Sequence, residues 1–276
     1  MLKNTIILLV ILIIIYLILI MPKLKVNSKM SKLKGWHYAH RGLHDINSAI
    51  PENSLKAFQK AVDNGYGIEL DVQITKDKIP IIMHDYSLKR SCGVDLKVYD
   101  LNYEELEDYR LFNTKEKIPS LREALNCIDG KVPVFVELKI PWQPKDTCEA
   151  VSKELESYKG FYAMESFNPL ALIWYKKNKP EVLRGQLSSD FNKHGLEGSK
   201  IQHFILKNLL TNVFTKPDFI AYHHIYKKGL SFNLSRKLYK TVTVAWTIRS
   251  KEEMEDNEKH FDLFIFEGFL PGGKYN

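Results

Sequence analysis

The sequence predicts an α/β fold, a parallel sheet covered by helices and preceded by one apolar N-terminal helix, and three observations carry that expectation. Short β-rich segments alternate with helix-compatible ones along most of the chain. The alternation recurs about eight times in about 240 residues, the size expected of a closed (β/α)8 barrel. A doubly wound open sheet is the alternative, because periodicity alone cannot show closure. The first 34 residues stand apart, with an unbroken apolar run over residues 5–21.

At about 1.5 Å per residue, a helix over that run is close to the minimum for a bilayer core. Lys3 precedes it, and Lys23, Lys25, Lys29, Lys32 and Lys34 follow. The expected reading is an uncleaved single-pass membrane anchor. A cleaved signal peptide competes, although Met21-Pro22-Lys23 offers no small-residue cleavage site. The lysine excess after the run leans toward a cytoplasmic domain by the positive-inside tendency. The chain is therefore divided into 1–34, an anchor and basic linker, and 35–276, the barrel.

With 276 residues, 45% of them hydrophobic, the chain can bury a substantial core, and disorder is not expected. The net charge of +7 is inflated by the lysines beside the anchor, which can meet anionic headgroups. Elsewhere Lys and Glu are interspersed, and no aromatic-and-basic surface suggests a nucleic-acid partner. Cys92, Cys127 and Cys148 have no C-x-x-C spacing, so neither a zinc knuckle nor a disulfide framework is indicated. The sequence is silent about protein partners.

Strands are expected at 35–39, 67–74, 78–83, 132–138, 161–165, 182–186, 219–222, 242–246 and 263–266. The first helix is expected over 53–64, where Leu55, Phe58 and Val62 share helical spacing and residues 51–54 suit an N-terminus. Helices at 121–128 and 147–158 follow, the second with Ala150, Val151 and Leu155 on a common side. Further helical segments are expected at 169–177, 199–210, 235–239 and 252–260.

Strand alternation puts Glu69 and Asp71 on one face and Ile68, Leu70 and Val72 on the other. Two like charges side by side are costly unless a cation compensates them; a solvated edge strand is the bland alternative. A second apolar strand repeats the arrangement, with Glu137 and Lys139 sharing a face. Three carboxylates converging at strand ends would form a hard, oxygen-rich site for one divalent cation, Ca²⁺ or Mg²⁺, rather than zinc. Arg41, through its fork, and Lys139, as a point charge, could then hold phosphate oxygens. His40 and His84 each follow a short apolar run, where imidazole can exchange protons with a phosphodiester's attacking and leaving oxygens.

Ala39-His40-Arg41-Gly42, Pro51-Glu52-Asn53-Ser54, Glu69-Leu70-Asp71-Val72-Gln73, Met83-His84-Asp85 and Val136-Glu137-Leu138-Lys139 together resemble the glycerophosphodiester phosphodiesterase family. The likeness begins at Trp36 and continues weakly through Ser166-Phe167, Gly185-Gln186-Leu187 and Ala245-Trp246-Thr247-Ile248. The resemblance implies a TIM barrel that hydrolyses glycerophosphodiesters to glycerol 3-phosphate and an alcohol. It implies His40 and His84 as the acid-base pair, Glu69, Asp71 and Glu137 as metal ligands, and Arg41 and Lys139 as phosphate contacts. It also implies attack by the glycerol hydroxyl to give a cyclic phosphate that water then opens. Glu52 and Asn53 match a segment that supports the first loop, although Asn53 or Ser54 could instead cap the following helix. Trp246 matches an aromatic that packs against glycerol, with a plain core or rim tryptophan as the alternative.

The C-terminal part departs from the family pattern. Arg249 stands where Asn is common, and Phe266-Glu267-Gly268-Phe269-Leu270-Pro271 replaces a usual Thr-Asp before Pro. Tyr222-His223-His224 is also unusual, as a polar patch at the pocket mouth or an ordinary loop. These departures bear on the alcohol or headgroup. A lysophospholipid is the rival substrate, since the anchor would place the domain beside lipid and Phe191, Leu196, Phe204, Ile205 and Leu206 could form an apolar rim or the buried side of a helix. A noncatalytic phosphodiester- or lipid-binding barrel is the remaining alternative.

Overall fold

The computed structural model describes residues 2–140, 144–193 and 199–272. Its strands are β1 (His37–His40), β2 (Gly67–Ile74), β3 (Pro80–Ile82), β4 (Val134–Leu138), β5 (Tyr162–Ser166), β6 (Leu183–Ser188), β7 (Phe219–His223), β8 (Val242–Ile248) and β9 (Leu263–Phe266). Neighbours run β1-β9-β8-β7-β6-β5-β4-β2, and β1 pairs again with β2. Eight parallel strands thus close into a barrel, and the open-sheet alternative is excluded.

The expected strand at 78–83 forms as β3 but lies outside the ring, antiparallel to β2. The chain between them is only a tight turn in which the Thr75 amide donates to the Ile79 carbonyl at 3.1 Å. A parallel crossover needs a dozen or more residues, so this connection can make only a hairpin.

The helices are α1 (Leu2–Leu19), α2 (Leu55–Asp63), α3 (Lys89–Cys92), α4 (Tyr103–Leu106), α5 (Leu121–Ile128) and α6 (Pro144–Leu155), then α7 (Pro169–Asn178), α8 (Lys200–Lys207), α9 (Asn212–Thr215), α10 (Leu230–Lys237) and α11 (Lys251–Asn257). Serine side chains cap several starts; Ser54, not Asn53, caps α2 by accepting from the Ala57 amide at 3.2 Å. The segment expected as one helix over 199–210 ends as α8, and α9 starts anew after Leu209 takes a left-handed φ of 56°. The helix expected at 235–239 begins earlier, at Leu230, because Gly229 stands at its N-cap and offers no side-chain signal.

Strand alternation divides the apolar residues into two layers. Ile68, Leu70, Val72, Val134 and Val136 pack under the helices, while Tyr38, Phe135, Phe219, Val244 and Ile265 fill the barrel interior. Burial of each large side chain contributes about 2–3 kcal/mol. Gly185 makes room for the Phe219 ring, since a Cβ there would lie 2.1 Å from it. Below them, Met30 and Leu33 join the interior layer, and the Tyr38 hydroxyl donates to the Leu33 carbonyl at 2.8 Å. A separate small core of Leu88, Val98, Leu101, Leu106 and Leu111 organises the long β3–β4 connection.

α1 has a mean hydropathy of 2.7 and is long and apolar enough to cross a membrane. Its C-terminal end is held on the barrel. The Tyr16 hydroxyl lies 2.8 Å from Ser231 Oγ, the Tyr239 hydroxyl donates to the Leu17 carbonyl at 2.8 Å, and Ile20 is fully buried. Lys23 then pairs with the buried Asp218 at 2.8 Å.

Candidate active site

The C-terminal ends of the parallel strands carry the polar residues. Glu69 and Asp71 on β2 face inward, and the register sets Asp71 beside Glu137 of β4, Glu137 beside Glu165 of β5, and Glu69 beside His40 of β1. Oxygen atoms of Glu69, Asp71 and Glu137 lie within 4.8 Å of one another, and all three residues are buried. Among them, Glu69 Oε1 is buried with no hydrogen-bond donor. An oxygen-only donor set with an orphaned buried oxygen fits a hard divalent cation.

Cationic side chains hold this cluster from two sides. Lys139 Nζ lies 2.6 Å from Glu137 Oε1 and 3.3 Å from Asp71 Oδ1, and Arg41 Nε lies 3.2 Å from Asp71 Oδ2. Burial pushes the Glu69 carboxyl well above the usual carboxylate range, helped by Asp71 and Glu137. Burial pushes Glu137 upward too, with Lys139 opposing it. For Asp71 burial acts the same way, but Lys139, His84, Arg41 and His40 outweigh it and hold the group below its ordinary value.

The β1–α2 turn explains how Arg41 reaches the cluster. Arg41 and Gly42 both take positive φ, 56° and 78°, so the chain doubles back over α2 and the Leu43 amide donates to the Ala57 carbonyl at 2.9 Å. The Arg41 amide then donates to Glu69 Oε2 at 3.0 Å, and its guanidinium meets Glu52 Oε1 at 2.7 Å. Glu52 is shared with Arg90, whose Nη2 donates to it at 2.7 Å. Asn53, buried with φ 56°, donates its amide to Asp71 Oδ2 at 2.8 Å.

Each histidine has a carboxylate on Nδ1. His40, the last residue of β1 rather than the one after it, meets Glu267 Oε2 at 2.5 Å, and His84 meets Asp85 Oδ1 at 2.6 Å. Carboxylate acceptors place the proton on Nδ1 and leave Nε2 to act elsewhere. Burial, with Arg41 beside it, pushes His40 down to about 4 against the pull of Glu267 and Asp71. Burial pushes Glu267 up, yet the His40 hydrogen bond, His40 and Arg249 outweigh it and bring it down to about 2. Both results describe a neutral imidazole donating to an ionised carboxylate. Arg249 closes the array, 2.6 Å from Glu267 Oε1.

A cavity of about 170 Å³ lies above the cluster and brings together His40, Arg41, Glu69, His84, Glu137 and Lys139 with Trp246. Asp71 lies beneath this lining. Trp246 forms the apolar wall with Phe167, their rings 5.6 Å apart. His223 also lines the cavity and packs edge-on against Trp246 at 4.7 Å, so it belongs to the pocket wall rather than to an ordinary loop. Of the expected apolar rim, Phe191 is buried against Phe167, Ile205 and Leu206 are half-buried, and Phe204 is exposed. Leu196 lies outside the described residues. None of the other four lines the cavity itself; α8 turns His203 toward Phe191 and leaves Phe204 in solvent.

Sequence reasoning missed Glu165, whose carboxyl lines the cavity and is pushed well up by burial and then by Glu137. A polar residue on an apolar strand was the available signal. It also missed the role of Glu267, which was visible only as a departure from a pattern.

The Glycerophosphoryl diester phosphodiesterase family matches residues 40–260. The chain is 27% identical over 250 residues to Glycerophosphodiester phosphodiesterase 1 of Bos taurus, covering 80% of this chain and 74% of that protein. It is 34% identical over 138 residues to a lysophospholipase D of Rattus norvegicus, 45% of this chain and 43% of that one. In structure it is similar to an Oleispira antarctica phosphodiesterase solved with its product sn-glycerol-3-phosphate, with a TM-score of 0.70, 24% identity, and coverage of 87% of this chain and 95% of the other. A glycerophosphodiester phosphodiesterase from Thermotoga maritima gives a TM-score of 0.64 at 25% identity over 84% of this chain and 94% of that one. With the matched segment running from His40, at the end of β1, to just before β9, the chain belongs to the glycerophosphoryl diester phosphodiesterase family of phosphodiester hydrolases.

Proposed function

We propose that this chain hydrolyses glycerophosphodiesters to glycerol 3-phosphate and an alcohol, with one divalent cation held by Glu69, Asp71 and Glu137. The observation that carries this reading is the gathering of three buried carboxylates within 4.8 Å under a cavity lined by both His40 and His84. The bound cation would supply charge stabilisation at the phosphate. The oxygen donors suit Ca²⁺ and Mg²⁺ alike.

The protein's own groups account for the rest. His40 is neutral above about pH 4, so its Nε2 can take the proton of an attacking glycerol hydroxyl while Glu267 stabilises the imidazolium formed. His84, steadied by Asp85, delivers a proton to the leaving alcohol oxygen as the hydroxyl closes on phosphorus; water then opens the cyclic phosphate, giving its proton to His84 while His40 returns its own to the displaced glycerol oxygen. Lys139 and Arg41 border the cavity and hold the phosphate oxygens. Trp246 offers an apolar wall to the glycerol carbons, and Glu52 and Asn53 hold Arg41 and Asp71 in place. The product complex of the Oleispira relative supports glycerol 3-phosphate as the product. A lysophospholipid is the second reading, favoured by similarity to a lysophospholipase D and by the Phe167–Trp246 wall.

α1 serves in this reading as a membrane span that tethers the barrel, and the lysines after it support a cytoplasmic barrel, a sidedness tested by protease access in intact cells. The catalytic test offers the purified full chain glycerophosphocholine, glycerophosphoethanolamine, glycerophosphoglycerol and lysophospholipids. Glycerol 3-phosphate release with Ca²⁺ or Mg²⁺ is expected, abolished by chelation and reduced about 10²–10⁴-fold in H40A and H84A. Strong preference for lysolipids would replace the substrate class, and no turnover of any diester would leave a binding barrel.

A further inference from the structure

The part of α1 clear of the barrel, residues 2–15, is exposed along its whole length. Fourteen residues at 1.5 Å each reach about 21 Å, which falls short of a hydrocarbon core of about 30 Å. The next residues, Tyr16, Leu17 and Ile20, are fastened to the barrel by Ser231, Tyr239 and Asn212. If α1 spans a bilayer, these fastened residues must enter it to make up the length, and the barrel surface that holds them goes with them.

That surface is apolar where a soluble barrel would be polar. Leu230 at the start of α10 and Leu238 at its C-cap are each more than half exposed, with half-buried Leu234 between them at four-residue spacing. Phe214 of α9, also more than half exposed, lies two residues from the Asn212 that binds α1. The face continues toward the catalytic mouth. Ser231 Oγ donates to Asn208 at the end of α8 at 3.1 Å, and α8 exposes Phe204. Ile225, exposed as well, lies two residues from His223 in the cavity wall. Exposed Lys228, Lys237 and Lys240 flank the stripe, as basic residues do around apolar faces that rest on anionic lipid.

We propose that this face, formed by α8, α9 and α10 beside α1, lies in the interface of an anionic bilayer and seats the mouth of the barrel at headgroup depth. The inference rests on the reading of α1 as a span. It also bears on the second reading of the site, because a mouth at that depth admits phosphodiesters that still carry an acyl chain from the membrane, beside soluble glycerophosphodiesters from the water.

The test places the full chain in vesicles of phosphatidylcholine and phosphatidylglycerol that contain a diazirine-bearing phosphatidylcholine, with adducts mapped by mass spectrometry. Adducts on residues 201–214 and 225–238, absent from α2 and α5 on the opposite side of the barrel, are expected. Adducts confined to residues 2–15, equal labelling of α2 and α5, or a vesicle-bound dimer whose residues 225–238 stay unlabelled would each overturn the proposal. In a second arm, the double variant L230E/L238E should turn over vesicle-embedded lysophospholipid at least tenfold more slowly, with soluble glycerophosphodiester hydrolysis unchanged. Equal loss on both substrates would make the leucines structural and defeat the idea. Failure of all hydrolysis would count against the proposed activity, while the adduct map would still decide the docking face.

Discussion

At the residue scale the site turns on how a buried histidine is kept ready for proton transfer. His40 is pushed down to about 4, first by burial and then by Arg41, while Glu267 pulls it up. Replacing Glu267 by Gln removes an upward influence, so the acid limb of kcat/KM should move to lower pH, not higher. At the same time kcat should fall about 10- to 100-fold, because the imidazolium that forms during reaction loses its carboxylate partner. E267D should recover part of that loss. A pH–rate profile of the variants checks both directions, and an upward shift of the acid limb would contradict the assignment. Much of this residue set was legible in the sequence, since Glu69, Asp71, Glu137 and the two histidines stand at strand ends in apolar surroundings. Glu165 and Glu267 were not. Their importance comes from cross-strand register, Glu165 opposite Glu137 and Glu267 one residue beyond the Ala39–Phe266 pairing, which no single segment displays.

At the scale of elements, periodicity found the strands because inward and outward residues alternate cleanly on β2 and β4. It could not tell that β3 is a hairpin partner, a fact decided by the length of the turn before it. It also placed α10 late, because Gly229 gives no capping signal. The β1–α2 turn shows how one element fixes the site. Gly42 has φ +78°, and a Cβ there would lie 2.8 Å from the Ala57 carbonyl carbon and 2.9 Å from its Cβ. Both neighbours belong to a packed helix, so G42A must displace α2 or the turn. The variant should lose about 2–4 kcal/mol of stability from combined strain and overpacking, and should lose turnover as Arg41 leaves Glu69. G65A is the control: it has φ +71° but nothing within 4 Å of its Cβ, so only the left-handed strain of about 1 kcal/mol applies. Thermal melts of the two variants, with activity, separate the effects; equal destabilisation would show that close approach at Gly42 is unimportant.

At the scale of the whole molecule, the carboxylate cluster links the barrel's stability to pH and to the cation. Groups held low act in the acid range: Glu267, at about 2, adds stability present above the ordinary carboxylate value and lost as pH falls toward 2. His40, lowered to about 4, likewise adds stability that is complete above 6.5 and lost as pH falls through 4. Glu69 and Glu165 have the opposite sign. Their carboxyls are raised well above the ordinary value, so the folded barrel holds protons that the unfolded chain has released, and stability declines as pH rises until those groups ionise. This decline opposes the gain that His40 and Glu267 give the metal-free protein as pH rises from the acid range. A cation bound at Glu69, Asp71 and Glu137 replaces the proton on Glu69, and its affinity should therefore strengthen with pH. At a free concentration of 100 times its dissociation constant it adds about 2.7 kcal/mol, a rise of roughly 5–10 °C in Tm for a domain of this size. Calorimetry of the chelated and the Ca²⁺- or Mg²⁺-saturated full chain, from the ordinary carboxylate value of 4.5 upward, measures the gap between the two curves. The gap should widen with pH, and it should be lost in E69Q, where neither the proton nor the ligand charge remains. A gap that is constant with pH, or that survives in E69Q, would place the cation elsewhere.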